Sequence, residues 1–199
     1  MNADGLLAQL GNGLHGAMLL ARGRAEGMVL VADAEAPALR TAARSFWAAA
    51  ICLPAFLCLQ LIDLSTEARL PPHFAHGMAL QLLGYAVDWA GFALLSRSVV
   101  RAMGRLSAWP RYIAAWNWCQ VVQYLLLVAA SLPPLLHLPD IVGETTWLVA
   151  TGWALWIEWY ATRLALGVGG LQAVALVLLD EAVGFALLAV IQALPGGGL

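Results

Sequence analysis

The chain has 199 residues, of which 62% are hydrophobic and 11% charged, with a mean hydropathy of +0.79. Soluble domains carry about 25% charged residues, so this chain lacks the polar side chains to cover a globule in water, and its composition suits a lipid bilayer. The net charge is −2, every cationic residue is Arg, and no basic patch large enough for nucleic acid stands outside the short loops.

Residues 1–43 read as a cytoplasmic amphipathic tail. Its start lacks the positive run and compact apolar stretch of a cleavable signal, so the mature chain is expected to begin near Met1. Leu7, Leu10, Leu14 and Met18 follow helical spacing, which predicts a helix lying in the membrane surface, although Gly11, Gly13 and Gly16 weaken it. The hexapeptide Gly11 to Gly16 has the glycine spacing of a dinucleotide fingerprint. It has no room for the βαβ unit that such a fingerprint needs, so no cofactor is expected. A second helix is expected from Asp33 onward, with acids early, Pro37 near its first turn, and Arg40 and Arg44 on one face toward the anionic leaflet.

Residues 44–195 read as an all-α, polytopic transmembrane bundle, followed by a flexible tail at 196–199. Five segments reach the roughly 20 residues needed to cross about 30 Å of hydrocarbon: 46–62, 77–95, 112–132, 146–166 and 171–194. Pro54 predicts a kink in the first. Arg22, Arg24, Arg40 and Arg44 in the tail, Arg97, Arg101, Arg105 and Arg111 in the second connection, and Arg163 all fall on one side of a five-crossing chain. Only Arg69 falls on the other. The positive-inside rule then predicts a cytoplasmic N-terminus and an external C-terminus. Trp47, Trp109 and Trp147 near span ends suit the headgroup region, while Trp116, Trp118, Trp153, Trp156 and Trp159 read as packing bulk.

The loops and cysteines offer little chemistry. His73 and His76 with Glu67, and His137 with Asp140 and Glu144, read as surface loop residues, and no metal site is expected. Cys52, Cys58 and Cys119 read as small buried hydrophobes. No nucleophile-base pattern or phosphate loop is present, so no catalytic residues are assigned.

The intramembrane polar residues carry the information. Asp88, Asn117, Gln120, Gln123, Glu158, Asp180 and Glu181 place polar groups at similar depth on four spans. A central acid costs about 2.5–3.5 kcal/mol on insertion scales, and each large aliphatic residue returns roughly 0.3–0.6. The fifth span, with two acids, is therefore marginal alone and depends on its neighbours. Consecutive helical residues differ by about 100° in direction. Asp180 is expected to turn inward to Gln120 or Asn117, and Glu181 to seek a second groove or a partner subunit. Arg163, five residues after Glu158, is the candidate to pair with it.

Five crossings with short ends, together with the Gly84-Tyr85 pair, resemble the Yip1-like family of small membrane proteins. The stretch from Pro110 to Gln123, PRYIAAWNWCQVVQ, is similar to proteobacterial inner-membrane proteins of this shape. That resemblance implies trafficking, assembly or membrane-organising work without catalytic residues. The expected function is an interaction or assembly factor that meets the bilayer, a membrane-protein partner or a second copy. The rival is a small proton- or cation-coupled transporter using the intramembrane carboxylates.

Overall fold

A computed structural model describes residues 3–32, 37–65 and 73–195. Glu67, Arg69, the acidic start at 33–36 and the 196–199 tail lie outside the described residues. Among the described residues the chain is all helical, with no strand. The elements are α1 (Ala3–Leu20), α2 (Gly27–Ala32), α3 (Ala38–Ser45), α4 (Trp47–Ser65), α5 (Phe74–Ala102), α6 (Trp109–Ala130), α7 (Leu132–Leu135), α8 (Asp140–Leu166) and α9 (Gly170–Ala193). A single 3-10 turn, Leu106–Ala108, joins α5 to α6.

Four helical segments are long and apolar enough to cross a membrane: Ala38–Ser65, Phe74–Ala102, Leu106–Leu135 and Gly170–Ala193. The first combines α3 and α4. The expected fourth span, now α8, is 27 residues long but falls short on hydropathy. Trp147, Trp153, Trp156, Trp159 and Tyr160 fill it with rings that score as near-neutral, and Glu158 lowers the average further.

The helix α6 is the axis of the bundle. Pro110 opens it in the first turn, where a missing N–H is harmless. Residues around its whole circumference are buried, including Tyr112, Ile113, Trp116, Asn117, Trp118 and Cys119, as befits a helix enclosed by others. It packs against α8, α3, α4 and α1, while α9 packs on α5 and α8. Its N-terminus is locked to the end of α8. Arg111 donates from Nε to the Ala165 carbonyl at 2.7 Å, and from Nη2 to the carbonyls of Ala165 and Leu164. Those carbonyls belong to the last turn of a helix, which favours a cation. Gly167, at φ 61, ends α8 in the left-handed conformation that glycine adopts without penalty.

Two arginines change place relative to the sequence reading. Arg97 and Arg101 stand on the last turns of α5, not in a loop, because the helix continues to Ala102. Trp109 donates to Ser96 Oγ at 3.3 Å and carries the Arg97 guanidinium over its ring, tying the end of α5 to the start of α6. The exposed Arg40 and half-buried Arg44 lie on α3, Arg105 precedes the 3-10 turn, and Arg111 opens α6.

The N-terminal helices pack into the bundle. In α1, Gly13 faces the Trp118 ring so closely that a Cβ there would lie 2.2 Å from it. A Cβ on Gly16 would lie 2.7 Å from the Gly27 carbonyl oxygen, so α1 and α2 meet backbone to backbone. Two of the three glycines that matched a nucleotide fingerprint, Gly13 and Gly16, thus serve close helix packing, while Gly11 has nothing within 4 Å of its would-be Cβ. Between the two helices, Gly23 turns at φ 74. Trp153 Nε1 donates to the Ala21 carbonyl at 3.0 Å and the Tyr160 hydroxyl to the Gly23 carbonyl at 2.8 Å. This turn, with Arg22, Arg24 and Glu26, therefore sits against the middle of α8. Ala17 and Leu20 share one core with Tyr112 and Trp118.

Candidate functional site

The site lies where α5, α6, α8 and α9 approach one another. Gly84 lets α9 come close, since a Cβ there would be 2.3 Å from Ile191 Cδ1. Tyr85 reaches the other way, its hydroxyl donating to the Ala49 carbonyl at 2.6 Å. That carbonyl lies on the turn of α4 that Pro54 disturbs by removing the next ladder donor. The Gly84-Tyr85 pair thus fixes α5 between α4 and α9. One turn further along α5 comes Asp88.

Asp88 from α5, Gln120, Gln123 and Tyr124 from α6, and Asp180, Glu181 and Gly184 from α9 line a cavity of about 290 Å³, completed by Leu127, Phe185 and Leu188. At about 30 Å³ per liquid water, it has room for on the order of ten molecules. Polar groups lie toward one end and apolar ones toward the other. Gly184 leaves open space beside it, with nothing within 4 Å of where a Cβ would stand.

Asp180 is the best-held acid. Its Oδ2 accepts from Trp116 Nε1 at 2.9 Å and from Gln120 Nε2 at 3.3 Å. Trp116 and Gln120 are four residues apart on α6 and share a face. Glu158, only 2% exposed on α8, faces the Asp180 carboxyl from behind the cavity. An oxygen–oxygen contact between two carboxyl groups is a hydrogen bond only when one of them carries a proton. Asp88 and Glu181 both line the cavity, from α5 and α9. Asp88 Oδ1 and Glu158 Oε1 are buried without a hydrogen-bond partner. None of the four carboxyls has a cationic partner among the described residues, whose ion pair, Arg24–Glu26 at 3.4 Å, lies at the distant α1–α2 turn.

Six of the seven polar residues expected inside the membrane meet here: Asp88, Gln120, Gln123, Glu158, Asp180 and Glu181. Gln123 also donates to the Ala154 carbonyl at 3.1 Å, joining α6 to α8. Asn117 does not belong to the group. It points about 100° away from Trp116 on α6 and donates to Ser45 Oγ at 2.6 Å. Arg163 does not pair with Glu158 either, because its guanidinium lies over the Trp159 ring, 4.7 Å from the centroid. Five residues along a helix turn the two side chains to different faces. Trp116, read from sequence as bulk, is a donor to the central acid. Its spacing of four from Gln120 was the signal available.

Among the described residues no group of three or more His, Cys, Asp and Glu side chains could hold a metal ion. His73 precedes α5 at φ 71, His76 lies exposed in its first turns, and His137 turns at φ 54. Asp140 and Glu144 are exposed at the start of α8. Cys52 and Cys119 are buried and free, and Cys58 is free and partly buried. No protein-family model, curated protein or solved structure matches this chain.

Proposed function

We propose that this protein crosses a bacterial inner membrane five times, with α8 as the span between α6 and α9, and moves protons through the acid-lined cavity. One observation carries this reading. Asp88, Asp180 and Glu181, from α5 and α9, line one cavity at mid-bundle with Glu158 of α8 buried behind it, and among the described residues no cation pairs with any of the four. If the acids served only to glue helices, each would be expected to end on a donor of a neighbouring helix, as Asp180 does. Asp88 and Glu181 instead border open space. Intramembrane acids placed so mark proton or ion pathways.

Charge distribution supports the five crossings. Arg101, Arg105, Arg111 and Arg163 gather where α5 ends, α6 begins and α8 ends. Asp63, His73, His76, Asp140 and Glu144 lie toward the other end. The arginine end is then cytoplasmic, with the N-terminus inside and the C-terminus outside. At about 1.5 Å per residue, α8 spans roughly 40 Å, enough to cross.

The test uses purified protein in liposomes that enclose a pH-sensitive dye, with a potassium diffusion potential set by valinomycin. The protein should raise proton entry above empty liposomes, and Asp180→Asn should lower it at least about a hundredfold, the smaller end of what positioned acid–base groups contribute. Equal entry with parent, variant and empty liposomes would sink the reading.

A second reading, an assembly factor, is favoured by the α1–α2 turn. The Arg24 and Glu26 side chains are 61% and 69% exposed beside the middle of α8, and charge at that height is costly in lipid unless protein or water covers it. A second copy or a partner membrane protein would cover it. Cross-linking from a cysteine at position 24 in native membranes, giving no adduct, would remove this reading.

A further inference from the structure

Behind the cavity, buried polar groups continue toward the arginine end of the bundle. Glu158 and Thr162 are four residues apart on α8 and share a face, as do Tyr112, Trp116 and Gln120 on α6. These faces oppose each other. Glu158 meets Asp180 at the inner wall of the cavity, and one turn further the Tyr112 and Thr162 hydroxyls face each other without closing a well-aligned hydrogen bond. Both residues are 1% exposed. Beyond them Arg111 rests on the carbonyls of Leu164 and Ala165.

Glu158 Oε1, Thr162 Oγ1 and Tyr112 Oη are all buried without a partner. Buried polar atoms are nearly always satisfied, and each exception calls for a physical reason. A seam built only for packing would be filled at no polar penalty by Phe at 112 and Val at 162, which have nearly the same shapes. Hydroxyls differ from those groups in one useful respect. Each can accept a proton on its oxygen and release its own from the other side, so a proton passes while the group ends unchanged.

We propose that Glu158, Thr162 and Tyr112 form the inner half of a proton route, linking the Asp180 carboxyl to the arginine-rich end of the bundle. The inference rests on the transport reading above and adds the direction in which protons leave the cavity. In one cycle the proton on the Glu158–Asp180 pair passes to the Thr162 hydroxyl oxygen, whose own proton passes to Tyr112. The Tyr112 proton then leaves toward the Arg111 end, and the carboxyl pair reloads from the cavity. No bond to carbon changes and no electron is transferred. The other charged groups around the pair are Asp88 and Glu181 across the cavity. Arg111 stands at the far end, and Arg163 is held away on Trp159.

Two measurements on the same liposomes test this: proton entry, and the reaction of Asp180 with dicyclohexylcarbodiimide, followed by mass spectrometry of its peptide. Tyr112→Phe combined with Thr162→Val should lower proton entry at least about a hundredfold, while Asp180 labelling stays within twofold of the parent. Thr162→Ser, which keeps the hydroxyl, should retain most of the entry. Should the double variant fail to fold, Tyr112→Phe alone, which removes one oxygen, carries the same expectation. Parent-like entry in a folded Tyr112→Phe, Thr162→Val protein would overturn the inner route and leave the cavity reading intact. Loss of entry in Thr162→Ser equal to that in Thr162→Val would also overturn it, since shape would then matter and the hydroxyl would not. A parent protein that admits no protons would overturn both.

Discussion

Gly16→Ala sets two effects of opposite sign against each other. In the interior of an exposed helix, the change gains up to about 1 kcal/mol of helix propensity. In α1 the new Cβ would lie 2.6 Å from Val31 Cγ2 and 2.7 Å from the Gly27 carbonyl oxygen. Ordinary contact begins near 3.4 Å, so α2, which carries that carbonyl, must retreat from α1 by roughly 0.7 Å. A gap of about 0.5–1 Å forfeits a quarter to a half of each dispersion contact across the seam, and overpacking typically costs about 1–3 kcal/mol. The carbonyl is backbone and cannot swing aside. Gly11, on the same helix, has nothing within 4 Å of its would-be Cβ and gains the propensity without the clash. Gly16→Ala should therefore be less stable than Gly11→Ala by about 1–3 kcal/mol. Unfolding midpoints in mixed micelles titrated with sodium dodecyl sulfate, read by tryptophan fluorescence, measure the difference. Equal midpoints would show that α1 and α2 do not meet at these glycines.

Four further outcomes are expected. Arg111→Gln should lower stability by about 1–2 kcal/mol, because the last carbonyls of α8 lose a cation, and Arg111→Lys should recover part of that loss; matching unfolding midpoints for parent and Gln variant would contradict it. Trp116→Phe leaves Asp180 with the longer Gln120 bond alone and should lower the midpoint by about 1 kcal/mol, within the range for polar contacts between membrane helices. Gly184→Leu, whose Cβ meets nothing within 4 Å, should narrow the cavity, suppressing proton entry while leaving the unfolding midpoint unchanged or raised; undiminished entry would place the route elsewhere. Reporter fusions should find the N-terminus in the cytoplasm and the C-terminus outside, and both ends in one compartment would refute five crossings.

Much of the bundle was legible because apolar length is written directly in the chain. The span expected at 77–95 falls inside α5 and that expected at 171–194 matches α9 to one residue at each end, and the depth shared by Asp88, Gln120, Glu158 and Asp180 follows from counting residues along helices. What stayed hidden depends on direction and on distant neighbours. Asn117 lies within three residues of Gln120 yet turns to Ser45, a difference that only the packing of α3 decides. Hydropathy reads Trp116 as bulk, since its single N–H acquires a role only when α9 presents Asp180. The glycines of α1 lowered its helical expectation for a sound local reason, which tertiary contact with Trp118 and Gly27 overrides. Thr162 stood four residues after Glu158, but that spacing means little until Tyr112 is found opposite.

The turn after α1 has a consequence for how the chain is made. Its carbonyls at Ala21 and Gly23 are met by Trp153 and Tyr160, which follow 132 and 137 residues later. At about 5–20 residues per second, the ribosome delivers those donors on the order of ten seconds afterward. The first helices to emerge thus find part of their seat on α6, but the turn between them waits for donors on a helix made later. Until then the carbonyls of that charged turn lack their indole and phenol donors, and a nascent chain arrested before residue 153 would hold α1 and α2 against α6 with the turn between them unpinned.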